Sequence, residues 1–238
     1  MQRAIRSVPA RPPLLAGRAV PGRALARFAR GVGATSAVEF ALVLPVLLGL
    51  MMGSVEIYRL ATTGKEVVAT ANAIGEMLSS SQSPPTAADL QFISDSGMII
   101  DPEVLTDAQM QGVDWWSIMT SSFTSVVFKP TVAGCTVRCK YEAHVAWSAG
   151  ARRRPCGTLR SVADGSPYSP TTLPLSLFSP GSTIVVDSQY AYKPLFGDRI
   201  AGPRTITRSA YFAPRYIDPL TLGDLSANPS IAIVCPGF

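Results

Sequence analysis

The sequence predicts an α+β protein: a long N-terminal membrane-spanning helix continuing into a head domain with an antiparallel β-sheet. Three observations predict it. Phe40 to Val55 is a run of sixteen residues without a charged side chain. Beyond it, apolar or small residues recur at Val67, Val68, Ala71, Ile74, Met77 and Leu78, the three- and four-residue steps of one helix face. After SSSQSPP, which stops that pattern, β-branched and aromatic runs alternate with Gly- and Pro-rich breaks. The expected organisation is a basic leader over 1–33, a transmembrane and amphipathic helix over 34–80, and a β-rich head over 81–238.

The apolar run is long enough to be a span. Extended to Ala37 and Tyr58 it has about 22 residues, or roughly 33 Å of helix, against a bilayer core of about 30 Å. The net charge of +5 is a property of the tail, because residues 1–36 hold seven arginines and no acid. Taking these seven from 21 basic residues leaves fourteen against sixteen acidic, a net of −2 for the remainder. That balance argues against nucleic-acid binding by the folded part. Arginines before an apolar run place the tail in the cytoplasm and the head outside it. A cleaved secretory signal fits poorly, since the run exits into GSVEIYRLATTG without a small-x-small site. An uncleaved signal anchor accounts for the arginines and the run but leaves Glu39 unexplained.

Glu39 stands one turn inside the apolar helix, where a carboxylate at mid-bilayer costs roughly 2.5–3.5 kcal/mol. Gly33 followed by ATSAVEFALVLPVLL resembles the N-terminus of TadE-like pseudopilins, of the tight-adherence (Tad) branch of type IV pilus systems. The resemblance is strongest over 33–75, and RSAYFAPRY is similar to the last strand of that family. It implies a pilin-like head and a basic leader cut by a prepilin peptidase at Gly33 or Ala34. It also implies that Glu39, followed by Phe40, neutralises the new amino terminus of a neighbouring subunit, making a lone penalty a register device. The family places its Glu fifth after the cut. Glu39 is sixth after Gly33, and cutting after Ala34 restores the fifth position.

Along the helix, Pro45 removes one hydrogen bond and introduces a slight kink. Gly49 and Gly53 have the GxxxG spacing of close helix contacts. Glu56, Tyr58 and Arg59 mark the outer interfacial edge, and from Ala37 to Ser80 the helix would run roughly 66 Å. A short helix is expected around Thr86–Ser94. Strands are expected at Gly97–Asp101, Thr120–Phe128, Val137–Trp147, Thr183–Tyr192 and Thr205–Ala213. Tyr141, Val145 and Trp147 alternate with Lys140, Glu142 and His144 as in a half-buried strand. DPEVLTDAQ is an acidic, solvated turn, Arg152–Pro180 is a long surface loop, and Arg152–Arg154 is an exposed charge cluster in it.

Cys135, Cys139, Cys156 and Cys235 fall on the extracytoplasmic side, where an even count favours two disulfides over a zinc site with His144. Three connectivities are open. Cys135 and Cys139 can pair only if the chain turns at CTVRC, because in one strand their Cα atoms would stand about 13 Å apart. That pairing, with Cys156 joined to Cys235, is preferred, although the spacing does not decide it. The single histidine alternates outward on its strand, and no nucleophile elbow, P-loop or GxGxxG is present.

The reading is a non-enzymatic, single-pass protein of a bacterial inner membrane, with no cofactor, small-molecule substrate or nucleic acid. Its partners would be the membrane, other pseudopilins or pilus assembly proteins, and a prepilin peptidase. The alternatives are a signal-anchored extracytoplasmic enzyme and a binding or adhesion protein.

Overall fold

A computed structural model of the 238-residue chain describes residues 33–196 and 202–238. The expected leader thus lies, apart from Gly33, outside the described residues. The chain divides into two compact units, Met1–Met52 and Gly53–Phe238. In the first, the described residues are the opening part of helix α1, Gly33–Ser79. Pro45 is accommodated inside it. Among the described residues this is the one helix long and apolar enough to cross a membrane. Its side chains in the charge-free run lie open, with Leu42 70% and Leu50 67% exposed.

The second unit packs the rest of α1 against a seven-stranded sheet. Val67, Ala71, Ile74 and Leu78 are buried at steps of four, three and four residues, one stripe of the helix. Val67, Ile74 and Leu78 each contribute roughly 1.5–3 kcal/mol by leaving water. Val68 and Met77, expected on the same face, lie at its exposed margins. Helix α2, Ala87–Asp95, adds Leu90 and Ile93 to the same layer. It begins at a capping box: Thr86 accepts from the Asp89 amide at 3.3 Å, and Asp89 accepts from the Thr86 amide at 2.9 Å.

Helices α3, Gly97–Ile100, α4, Glu103–Gln111, and α5, Trp115–Ile118, follow. Two of them correct the sequence reading. The expected strand Gly97–Asp101 is instead helix α3 with Asp101 as its C-cap, because the Ile100 and Asp101 amides donate back to Ser96 and Gly97. The DPEVLTDAQ segment is helix α4, entered through Pro102 and closed by Gly112 at φ 66°, the left-handed geometry that ends a helix.

The strands are β1, Met119–Pro130; β2, Tyr141–Gly150; β3, Thr158–Val162; β4, Thr172–Pro174; β5, Gly181–Tyr192; β6, Arg204–Phe212; and β7, Ala232–Val234. Their order is β4-β3-β2-β1-β5-β6, with β7 also pairing β2. All neighbours are antiparallel except β3 and β4, which are parallel. These two strands and a 3-10 turn at Leu175–Leu177 lie in the segment expected to be a long surface loop. The chain from 137 to 140, expected to open a strand, instead belongs to the turn before β2.

The sheet is buried on both faces. Phe123, Trp147, Ile184 and Val186 pack with α1 and α2, while Val126, Val145, Val185 and Leu173 form a separate cluster. Val145 and Trp147 share a parity and would face the same way in a regular strand. They do not, because the register against β1 shifts between Ser125 and Val126 and leaves Ala146 as an extra residue. The Trp147 indole N–H then donates to the Leu220 carbonyl at 2.6 Å. The segment after β6 wraps the end of α1, with the Arg215 amide donating to Ser79 O at 3.0 Å and the Gly223 amide to Pro85 O at 2.9 Å.

Candidate functional site

The residues expected to act in assembly lie on the first part of α1. Gly33 and Ala34 open the helix. Glu39 and Phe40 follow on it, both exposed, with Phe40 at 61%. An added Cβ at Gly49 or Gly53 would meet no heavy atom within 4 Å, so neither glycine is filled by this chain's own fold. A close approach occurs instead at Gly75, where an added Cβ would run into Cε2 of Phe212. Gly75 lets α1 and β6 come together. No motif marks it, since its signal is the absence of a side chain.

The α1 root is held by two charged residues that the sequence places at an interfacial edge. Glu56 is buried. Its carboxylate accepts a hydrogen bond from the Tyr192 hydroxyl through Oε1, and one from the Leu195 amide at 3.1 Å through Oε2. One turn on, Arg59 Nη2 donates to Asp107 Oδ1 at 2.9 Å, and the Tyr190 hydroxyl donates to Asp107 Oδ2 at 2.6 Å. Helix, α4 and β5 are thereby joined. Burial, and then donation to Glu56, pushes the Tyr192 hydroxyl up to about 12. Burial, and then Asp107 as acceptor, moves Tyr190 upward as well. Both stay protonated donors at physiological pH. Tyr58, between the two charged residues, points outward.

The basic triplet is not the exposed cluster expected of it. Arg154 is buried beneath the β3–β4 connection, where Nε and Nη2 hold the two oxygens of Asp187 at 2.7 and 3.0 Å. Its Nη1 donates to Thr172 O at 2.7 Å, and Ser209 donates to the same carboxylate. Burial by itself would lower the Arg154 value, but the hydrogen bonds from its guanidinium to Asp187 carry it above the ordinary one. A buried pair with every strong donor satisfied is a device for fixing one arrangement rather than a source of large stability. Arg153 donates to Ser230 O.

Cys135 is bonded to Cys139 and Cys156 to Cys235, with Cα separations of 5.8 and 5.5 Å. The turn at CTVRC that the first bond requires is made with Arg138 at φ 50°. All four thiols are consumed, which removes them as ligands for a metal at His144. His144 is half-buried on β2, with Nε2 at 3.6 Å from Glu142.

The architecture defines a class: a β-rich head rooted on the continuation of one exposed apolar helix. Within that class, residues 34–74 match the family model described as TadE-like protein, and the resemblance carried by Gly33 and the residues after it is to that same family. The matched segment runs from the expected processing site through the apolar run and the Glu56–Arg59 root to Ile74. No curated protein matches the chain, and no solved structure does.

Proposed function

We propose that the protein is a membrane-anchored, minor pilin or pseudopilin-like component in the assembly of a Tad-type pilus, acting through subunit contacts rather than catalysis. The TadE-like segment carries this reading, because it holds the apolar helix together with the residues that root it. The N-terminus faces the cytoplasm and the head lies outside the inner membrane, a placement supported by the arginines before the run and by two disulfides in the head. A prepilin peptidase cuts at Gly33 or Ala34, and Glu39 meets the amino terminus so created on a neighbouring subunit. Phe40, Gly49 and Gly53 lie on the stretch of helix that neighbour would contact.

The amino-terminal sequence and intact mass of the membrane-extracted protein test the processing step. A start at Ala34 or Thr35 is expected, and a start at Met1 would defeat it. Glu39→Ala is expected to insert normally and to abolish piliation. Normal piliation by that variant would remove the assembly role of Glu39.

A further inference from the structure

Glu56 directly follows Val55, the last residue of the charge-free run. Whatever touches Glu56 therefore stands where the chain leaves the apolar layer. The Leu195 amide touches it, and Leu195 and Phe196 are both large apolar side chains left exposed at the β5 end. Next to them is a pocket of about 280 Å³ lined in part by Lys193, Arg204, Tyr192 and Gln111. Gln111 ends α4, and just past it Val113 and Trp116 are exposed, Trp116 at 58%. The pocket thus carries two cations, with Leu195 and Phe196 following Lys193 in the chain and Val113 and the open indole of Trp116 following Gln111, the exposed Asp114 standing between those two. Exposed apolar groups of this size on a soluble head are costly to leave in water. Indoles favour the headgroup level of a bilayer, and cations near an anionic surface gain about 1 kcal/mol each.

We infer that this end of the head docks on the surface of the membrane that anchors it, with Trp116, Leu195 and Phe196 at headgroup depth and Lys193 and Arg204 on anionic phospholipid. The inference rests on the reading of the apolar run as a span. Lipid is the occupant favoured by the residues present: the apolar groups adjoin the root of the span, and the pocket carries positive charge.

Tryptophan emission of the full chain in vesicles tests it, using phosphatidylcholine brominated at the upper acyl carbons, with and without phosphatidylglycerol. Trp147 is an internal reference, being 2% exposed and bonded to Leu220 O. The expected result is a loss of emission that Trp116→Phe removes and Trp115→Phe retains. Phosphatidylglycerol should deepen the loss. Lys193→Gln and Arg204→Gln should each lower the docked-to-undocked ratio about fivefold in the anionic vesicles. Trp116 emission unquenched in both vesicle types overturns the proposal, whether the indole then faces water or a second copy. Flotation of the same samples separates the two readings. A chain that does not float defeats the span and the docking together, while a floating chain with an unquenched Trp116 defeats the docking alone.

Discussion

At Tyr192 a single hydroxyl keeps a buried carboxylate from standing with one donor fewer. Tyr192→Phe leaves Glu56 with the Leu195 amide alone. The expected cost is about 1–3 kcal/mol, read as a lower midpoint in urea. The pH dependence has a definite sign. A tyrosine whose folded value is raised contributes stability that is complete below its ordinary value of 10.0 and is lost as pH climbs through about 12. Alkaline titration should show weakening in that window, and Tyr192→Phe should make it shallower, the raised Tyr168, Tyr190 and Tyr211 supplying the rest. Arg154 presents the opposite kind of test. Arg154→Met strands Asp187 in the interior and should cost about 3–5 kcal/mol, while Arg154→Met combined with Asp187→Leu should recover much of the loss. Neither residue announces its burial in sequence. An RRR run ordinarily faces water, and the carboxylate that draws Arg154 inward lies 33 residues away.

Among the elements, α1 shows what periodicity can and cannot convey. The stripe from Val67 to Leu78 and the stop after Ser79 follow from apolar spacing and from SSSQSPP. The close contact at Gly75 does not, because it depends on where Phe212 arrives from a strand far along the chain. Gly75→Ala should therefore destabilise by about 1–3 kcal/mol through overpacking. Gly64→Ala, whose nearest neighbour would be Arg208 at 3.9 Å, should instead gain up to about 1 kcal/mol of helix propensity. Thermal melts of the two variants should move in opposite directions. Helix α4 was legible in principle, since Pro102 and Gly112 bracket it in the order helices prefer. Its high content of Asp, Glu and Gln hid an apolar edge made by Val104 and Ala108. The extra residue at Ala146 was not legible, because a register shift is a property of two strands and not of one.

For the whole molecule, the two disulfides differ chiefly in what they constrain. One spans a separation of 4 residues and the other a separation of 79. By chain entropy the short loop restrains the unfolded chain by about 2 kcal/mol and the long one by about 4.5 kcal/mol. Replacing Cys156 and Cys235 together by serine should lower the unfolding free energy about twice as much as replacing Cys135 and Cys139. Chemical denaturation of the two double variants would measure the ratio. The α+β class, the apolar helix and most strands could be read from local pattern. The parallel β3–β4 pair and the wrap of residues after β6 over the α1 end could not, as both arise only when distant segments meet.

The clasp at β7 also sets an order in time. The free edge of β2 is covered in two parts, by β3 at Ala143 and His144 and by β7 from Trp147 to Ala149. A ribosome delivers β1 through β6 before it delivers residue 232, so the sheet assembles with half of that edge open. Cys139 arrives four residues after its partner, whereas Cys156 waits through 79. Throughout that wait its thiol is the one available for mispairing, and early closure of the 135–139 loop takes the two nearest wrong partners out of reach.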